Sequence, residues 1–217
     1  MLFIGICGAS GSGKSTLSEE LVRAVGANCT VINQDAYYFD YPHLSFEERC
    51  ALNFDEPRIF DHDALLEDII QLMAGRSIPR RAYDFTRHAR AQSTEIIHPG
   101  KVLILEGIHA FFDKRLYEKM FLKLFINVEP DICLLRRINR DIKERARSID
   151  SISAQYLATV KPMYDKYIRN YIHQADVIVT HGGKKRQDCR NPGRLPARFA
   201  GDLMTGDIKR SSAPLRF

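Results

Sequence analysis

The most specific chemical pattern in the sequence is the glycine-rich stretch GASGSGKST at residues 8–16. It has the spacing G-x-x-x-x-G-K-[ST], in which backbone N–H groups surround phosphate oxygens and the lysine reaches the β- and γ-phosphates. The serine hydroxyl that follows the lysine is a ligand for Mg²⁺. We therefore predict a nucleoside triphosphate site made of Gly8, Ala9, Ser10, Gly11, Ser12, Gly13, Lys14, Ser15 and Thr16.

Two carboxylates accompany apolar runs that are typical of buried strands. Asp35 follows CTVIN, and Glu106 lies in VLILEG. Ligands of parallel sheets bind at the carboxyl ends of the strands, so Asp35 is the candidate base and Glu106 a candidate Mg²⁺ ligand. From local sequence alone, Asp35 could equally cap a helix or a turn, and Glu106 could face solvent. No N-K-x-D guanine-reading motif is present, which disfavours a GTPase.

A third group of candidate residues is a run of arginines in a predicted helix at about 130–147. Spacings of four place Arg137, Asp141 and Arg145 on one helical face, which is typical of a solvated helix with ion pairs. Placed after a nucleotide site, the same arginines could instead form a lid that closes over phosphates. Both interpretations stay open at this level. The full set is Arg136, Arg137, Arg140, Arg145 and Arg147.

The elements that must position these residues alternate between strands and helices. Apolar runs predict strands at 2–7, 29–33, 101–107, 121–128 and 176–180. Helical spacing predicts one helix directly after the glycine-rich loop and three more at 61–74, 130–147 and 153–175, the last with a kink at Pro162. Two alternating stretches, 77–85 and 93–98, predict a β-hairpin. The pattern predicts an α/β fold with a doubly wound parallel sheet flanked by helices.

Composition places the chain among ordinary globular proteins. Its 217 residues are 45% hydrophobic and 27% charged, which suits one sizeable core. The five scattered cysteines suggest neither a disulfide framework nor a zinc site, so we expect a cytoplasmic protein. The apolar start is too short for a signal peptide or a membrane span. The residues after 181 include nine Lys/Arg and three Asp, a net charge of +6, whereas the whole chain has a net charge of +5. Residues 1–181 are therefore nearly neutral, and we do not expect the protein to bind nucleic acid.

Taken together, the motifs resemble those of the uridine kinase (uridine–cytidine kinase) family, most closely its bacterial members. The likeness runs from Leu2 to about Lys184. It is carried by GASGSGKST, NQDAYYFD, HLSFEER, NFDEPRIFDHDALL, YDFTRHAR, VLILEGI, LLRRINRDIKERARSIDSISAQY, KPMYDKYI and ADVIVTHGGK. The resemblance implies a P-loop fold in which the hairpin at 77–98 binds substrate and the helical segment at 130–155 is an arginine lid.

The activity that this resemblance implies is transfer of the γ-phosphate of ATP or GTP to the 5′-hydroxyl of uridine or cytidine, which yields UMP or CMP in pyrimidine salvage. Asp35 matches the family's catalytic carboxylate, and Ser15 and Glu106, with Asp35 nearby, match its Mg²⁺ positions. Lys14, Arg140 and Arg145 match contacts to the donor phosphates. Contacts to the nucleoside are implied for Phe54, Asp55, Tyr83, Phe85, His88, Arg137, Arg147 and Gln155.

Within that set, Asp55 matches the carboxylate that accepts hydrogen bonds from the ribose 2′- and 3′-hydroxyls. His88 matches a reader of the base, where an imidazole can donate or accept according to its tautomer. Two residues depart from the family's pattern: Ala146 stands where many members have glycine, and His109 where an aliphatic residue is common. Members are usually homotetramers, so a homo-oligomer is expected.

The sequence leaves two alternatives to this activity. One is a sibling small-molecule kinase of the pantothenate, phosphoribulokinase or nicotinamide riboside type, and the other is a nucleotide-dependent binding protein. The predicted organisation is a single kinase domain at 1–183 followed by an atypical basic tail at 184–217, in which helical periodicity is lost.

Overall fold

The computed structural model of the chain describes residues 1–26, 28–180 and 215–216. Most of the predicted tail therefore lies outside the described residues, and the division of the chain at 183 stays a prediction. In chain order the strands are β1 (Leu2–Gly8), β2 (Cys29–Asn33), β3 (Ile78–Pro79), β4 (Ala82–Asp84), β5 (Ala89–Ala91), β6 (Ile96–Ile97), β7 (Val102–Gly107), β8 (Leu122–Ile126), β9 (Val177–Val179) and β10 (Leu215–Arg216).

The α-helices flank these strands. They are α1 (Lys14–Val25), α2 (Phe46–Cys50), α3 (His62–Met73), α4 (Lys114–Tyr117), α5 (Pro130–Arg145), α6 (Ile149–Gln155) and α7 (Lys161–Lys166). Helix α3 begins where the sequence predicts, because the Asp61 side chain accepts a hydrogen bond from the Ala64 N–H. No helix in the described part of the chain is long and apolar enough to cross a membrane.

The central sheet is parallel and has the strand order β10-β9-β8-β1-β7-β2. Its inner strands are buried on both faces: Phe3 and Cys7 of β1 join one core cluster, whereas Ile4 and Ile6 join the other. This two-sided burial explains the continuous apolar runs in the sequence. The predicted α/β class and the five predicted strands are confirmed. Because β1, β7 and β2 are adjacent and parallel, their carboxyl ends lie at the same edge of the sheet.

The predicted hairpin differs from the structure in its pairing. Strand β3 pairs with β6, and β4 pairs separately with β5, so residues 89–91 form a strand that the sequence assigned to the loop. The physical reason is a tight turn, in which the Asp84 carboxylate accepts hydrogen bonds from the N–H groups of Thr86 and Arg87. The chain then passes through His88 at φ 47° and turns back directly.

The predicted helix at 153–175 is also irregular. After α6 the chain forms a π-helical turn at Tyr156–Val160, then α7, then a 3₁₀ segment at Ile168–Gln174. Pro162 has no N–H to donate and stands in the first turn of α7, so the wider turn before it replaces the predicted simple kink.

Candidate active site

The glycine-rich loop connects the end of β1 to the start of α1. Gly11 and Gly13 have φ values of 81° and 104°, in the region that side chains disfavour. A Cβ on Gly11 would lie 2.3 Å from the carbonyl oxygen of Cys133, so the loop packs directly against the backbone of α5. The Lys14 ammonium donates hydrogen bonds to the carbonyls of Gly8 and Ala9 at 3.2 and 3.0 Å.

Glu106 lies beneath this loop on β7 and is 5% exposed. The Ser18 hydroxyl donates to its carboxylate at 3.3 Å, and Ser15 also hydrogen-bonds to it. Burial raises the pKa of the Glu106 carboxyl, while Lys14 and these hydroxyls oppose the rise. The solvent-facing interpretation of Glu106 is therefore wrong. Burial also lowers the pKa of Lys14, and the charges of Asp35 and Glu106 oppose that shift.

The donor set at this edge fits Mg²⁺. Ser15, Glu106 and Asp35 offer one hydroxyl and two carboxylates, which are oxygen ligands of the kind this hard cation prefers. No group of three or more His, Cys, Asp or Glu in the described part of the chain could hold a metal by itself. In phosphoryl-transfer enzymes Mg²⁺ is commonly held by one or two carboxylates together with substrate phosphates.

Asp35 follows β2 in a short 3₁₀ turn and lines the main cavity. The side chain of Asn33 accepts a hydrogen bond from the Asp35 N–H at 2.8 Å, so the capping role that local sequence left open for Asp35 belongs to Asn33. The Asp35 carboxylate accepts a hydrogen bond of 3.4 Å from the Tyr38 hydroxyl, which also approaches the carbonyl of Phe54 at 3.3 Å. The carboxylate is thus held at the cavity wall.

Asp55 is the second carboxylate of the cavity and is 5% exposed. Its oxygens face the Arg137 guanidinium at 3.9 Å and accept a hydrogen bond of 3.2 Å from the Thr159 hydroxyl. Burial raises the pKa of Asp55, and Arg137 and Thr159 oppose the rise. Its backbone N–H donates to the Asn53 side chain at 3.0 Å, which fixes the loop that carries it.

Aromatic rings form one wall of the site. The His88 imidazole stacks on Phe54 with a centroid distance of 4.8 Å, and Tyr38 packs against Phe54 and Tyr83 at 5.3 and 5.0 Å. Within the described structure, His88 Nδ1 and the Tyr83 hydroxyl are buried without a hydrogen-bond partner. Burial and the nearby arginines lower the pKa of His88, so its neutral form is favoured. Phe85 supports the guanidinium of Arg145, which lies 4.0 Å above its ring.

The arginines converge on one buried carboxylate. Asp141 is 0% exposed and lies within 4 Å of four guanidinium groups, at 3.6, 2.8, 3.6 and 3.6 Å from Arg137, Arg140, Arg145 and Arg147. Arg137 is also buried. The solvated-helix interpretation of this segment is therefore wrong, because its ion pairs face the cavity. Gln155 joins the group by accepting hydrogen bonds from Arg137 and Arg147.

These groups enclose a cavity of about 660 Å³. Of the residues that the sequence singles out, it is lined by Ser10, Asp35, Phe54, Asp55, Phe85, His88, Arg137, Arg140, Arg145, Arg147 and Gln155. Four other predicted site residues do not line the cavity. Tyr83 packs behind the aromatic wall, Lys14 and Ser15 belong to the glycine-rich loop, and Glu106 lies beneath that loop. The volume is in the range of small-molecule sites.

Sequence reasoning missed several residues of this site. Tyr38 had a detectable signal, because it follows Asp35 by three residues in a short turn. Ser18 lies one helical turn after Lys14 on the face of α1 that meets β7. For Asp141, the helical spacing predicts only a role in surface ion pairs. Thr159 had no signal, because 104 residues separate it from Asp55 along the chain.

Comparisons of the sequence with known proteins show its family. Residues 3–187 match the model of the phosphoribulokinase/uridine kinase family. A uridine kinase of Yersinia enterocolitica is 46% identical over 190 residues, which cover 85% of this chain and 89% of that protein. A uridine kinase of Erwinia tasmaniensis is 44% identical over the same coverage.

Solved structures match the fold. Phosphoribulokinase from Rhodobacter spheroides has a TM-score of 0.58 at 14% identity and covers 96% of this chain and 85% of its own. A protein from Bacillus stearothermophilus described as a possible uridine kinase has a TM-score of 0.55 at 18% identity and covers 82% of this chain and 87% of its own. Identities this low establish the architecture alone.

Proposed function

The chain belongs to the phosphoribulokinase/uridine kinase family, and from that premise we propose that it transfers the γ-phosphate of ATP or GTP to the 5′-hydroxyl of uridine or cytidine. The observation that carries the proposal is the composition of the main cavity. This cavity, beside the glycine-rich loop, is lined by a carboxylate at the end of β2, a buried carboxylate, a histidine stacked on a phenylalanine, and four arginines. A nucleoside and a triphosphate need these groups together.

The two carboxylates have different tasks in this proposal. Asp35, held by Tyr38 at the cavity wall, accepts the proton of the 5′-hydroxyl. Asp55 accepts hydrogen bonds from the ribose 2′- and 3′-hydroxyls, and Arg137 at 3.9 Å offsets the cost of keeping its charge buried. The chemical step forms a bond between the 5′-oxygen and the γ-phosphorus, breaks the bond to the β-bridging oxygen, and leaves the proton on Asp35.

The donor side consists of the glycine-rich loop and the arginine cluster. The backbone N–H groups of residues 8–16 and the Lys14 ammonium bind the triphosphate. Arg140 and Arg145 cover the charge of the transferring group, for which a guanidinium fork is better suited than an ammonium. Ser15, Glu106 and Asp35 would hold Mg²⁺, which supplies charge neutralisation at the phosphates.

The aromatic wall selects the base. His88 Nδ1 is a buried polar atom without a hydrogen-bond partner in the described structure, and a carbonyl or amino group of a base in the cavity would satisfy it. The neutral imidazole can donate from one nitrogen or accept at the other, which suits the 4-oxo group of uracil and the 4-amino group of cytosine. The flat stack of His88 on Phe54 offers a platform for a pyrimidine ring.

ADP release with Mg·ATP tests this proposal against uridine, cytidine, adenosine, pantothenate, ribulose 5-phosphate and nicotinamide riboside. We expect turnover with uridine and cytidine only. Asp35→Asn should lower kcat by about 10²- to 10⁴-fold, because the amide cannot take the proton. The matched control Asp165→Asn, at an exposed surface ion pair, should retain full activity.

The same experiment separates the alternatives. Turnover with pantothenate, ribulose 5-phosphate or nicotinamide riboside in place of pyrimidine nucleosides would favour a sibling kinase. Nucleotide binding without turnover of any acceptor would favour a binding protein. The relatives at 44% and 46% identity are named uridine kinases, which supports the proposed activity over these alternatives. The match to the phosphoribulokinase structure supports the fold only.

The setting of the enzyme is also part of the proposal. We place it in the cytoplasm, where ATP and Mg²⁺ are available; Cys7, Cys29, Cys50 and Cys133, four of the five cysteines, are free thiols, as a reducing compartment favours. We also propose a homo-oligomer, supported by exposed apolar side chains along α5 at Ile132, Leu135 and Ile142. Light scattering on the purified full chain distinguishes a tetramer from a monomer.

A further inference from the structure

A histidine that the proposed reaction does not use contacts the segments that carry the two carboxylates. His109 follows β7 and is 1% exposed. Its ring packs edge-on against those of Tyr167 and Tyr171, with centroid distances of 5.8 and 5.9 Å, and against Phe60 and Phe112 at 6.0 and 6.1 Å. These four rings surround the imidazole as an aromatic cage.

Every polar atom of this imidazole has a partner. Nε2 lies 2.7 Å from the backbone carbonyl oxygen of Asp55, and Nδ1 lies 3.0 Å from the Tyr171 hydroxyl. A carbonyl can only accept, so Nε2 carries the hydrogen and Nδ1 accepts from Tyr171. The tautomer is therefore determined by the chemistry of the two partners. The hydrogen bond to Asp55 spans 54 residues of sequence and fastens the loop of that carboxylate to the end of β7.

The backbone of the same residue holds the neighbour of Asp35. The His109 N–H donates to the Gln34 side-chain oxygen at 2.9 Å, and Gln34 is 1% exposed. A Cβ on Gly107 would lie 2.2 Å from that oxygen, so only glycine leaves room for the Gln34 amide. Gln34 begins the 3₁₀ turn that carries Asp35. His109 thus contacts both the loop that carries Asp55 and the turn that carries Asp35.

We propose that His109 is a positioning residue for the nucleoside site, which holds the Asp55 loop through its imidazole and the Asp35 turn through its N–H. The proposal rests on the proposed function in one respect: the group that Asp55 meets is taken to be the ribose diol. An aliphatic residue at position 109 would fill the same cage and keep the N–H, but it would leave the Asp55 carbonyl and the Tyr171 hydroxyl buried without a partner.

The test uses His109→Leu, which removes the imidazole bonds, and His109→Gln, which returns an N–H donor near the position of Nε2. Phe112→Leu is the matched control, because it loosens the same aromatic cage without removing a hydrogen bond. For each protein, kcat/KM is measured with uridine and with 2′,3′-dideoxyuridine. A residue that acts through Asp55 should matter only when the substrate carries the diol.

In His109→Leu we expect kcat/KM for uridine to fall about tenfold and kcat/KM for dideoxyuridine to fall less than twofold, so the ratio of the two values falls by about five- to tenfold. His109→Gln should recover most of the preference, and KM for ATP should stay constant in all variants. An equal loss with both nucleosides, or no loss with either, would overturn the proposal.

A second readout does not depend on the substrate. Amide hydrogen exchange of residues 53–59 should accelerate about tenfold in His109→Leu and stay near the parent rate in Phe112→Leu. If the parent protein does not phosphorylate uridine, the proposed function fails while this measurement still decides the role of His109. Unchanged exchange in His109→Leu would sink the proposal whatever the substrate is.

Discussion

At the scale of single residues, Asp141 is the most heavily engaged carboxylate of the described site. It is fully buried and faces four guanidinium groups, three of which are partly exposed to the cavity. Four positive charges close together repel one another, and one buried carboxylate between them reduces that repulsion. Asp141 therefore holds the arginines in position before any phosphate arrives.

Replacement of Asp141 by asparagine keeps the shape and removes the charge. We expect the free energy of unfolding to fall by about 3 kcal/mol, because the buried carboxylate that four arginines share is lost while the arginines remain. KM for ATP should rise as the guanidiniums separate. Urea denaturation and steady-state kinetics measure both effects. Asp165→Asn, which removes the surface ion pairs with Lys161 and Arg169, should stay within about 0.5 kcal/mol of the parent.

His109 makes stability depend on pH in a definite direction. Burial lowers the pKa of its imidazole to about 4, and the positive charges of His62 and Lys14 add to the effect, while the Asp55 carbonyl opposes it. The rings of Tyr167 and Tyr171 pack against the imidazole. The unfolded chain therefore binds a proton between about pH 6.5 and pH 4 that the folded chain does not accept.

The expected result is a loss of stability as the pH falls through that window. The folded-state pKa lies below the unfolded one, so the contribution is complete above pH 6.5 and declines toward pH 4, by about 3 kcal/mol at most. Urea denaturation at several pH values should show a smaller slope for His109→Gln than for the parent. Equal slopes would mean that other groups, such as His88, account for the acid sensitivity.

At the scale of elements, the end of α5 determines where two arginines lie. Ala146 caps this helix with φ 51° and ψ 34°, a left-handed conformation that costs a side-chain-bearing residue about 1–2 kcal/mol. The turn reverses the chain between Arg145, which lies over Phe85, and Arg147, which contacts Ser151 and Gln155. The strained residue therefore lies between two arginines that line the cavity.

Ala146→Gly should relieve this strain. We expect the free energy of unfolding to rise by about 0.5–1 kcal/mol, since glycine adopts φ > 0 readily but loses more entropy on folding. Thermal or urea denaturation measures the change. Ala154→Gly, at an exposed position inside α6, is the matched control and should destabilise by about 1 kcal/mol. If both variants destabilise equally, the left-handed cap carries no strain.

At the scale of the whole molecule, the cavity depends on segments that are far apart in sequence. Its walls come from the β2 edge, from α2 and the loop after it, from the β4–β5 turn, and from α5 and α6. A ligand that contacts all of them stabilises the folded chain by mass action. Binding can therefore be measured by global unfolding without any catalytic turnover.

Uridine should raise the melting temperature of the protein. At a concentration of about 100 times Kd the stabilisation is about 2.7 kcal/mol, which corresponds to a shift of about 5–10 °C for a chain of this size. In Asp55→Asn, uridine should raise the melting temperature much less than in the parent, whereas Mg·ATP should raise it by about the same amount. Each shift is measured relative to the melting temperature of the same protein without ligand. Loss of both shifts would place Asp55 in the fold rather than in the nucleoside site.

Local chemistry explains which features could be predicted from the sequence. The strands of the sheet are buried on both faces and read as continuous apolar runs; the glycine-rich loop needs residues such as Gly11 and Gly13 at positive φ; and Asp61 caps α3 with its own side chain. Each of these signals lies within about ten consecutive residues. The roles of individual site residues stay predictions until variants such as Asp35→Asn are measured.

The tertiary structure decided what depends on burial and on distant partners. The sequence could not tell whether the arginine helix is solvated, because only packing against the rest of the chain buries Asp141 and Arg137. It could not show that His109 joins Asp55 to Tyr171, or that Thr159 meets Asp55, since those partners are 54 to 104 residues apart. Such contacts follow from the order of strands in the sheet, and no local pattern encodes them.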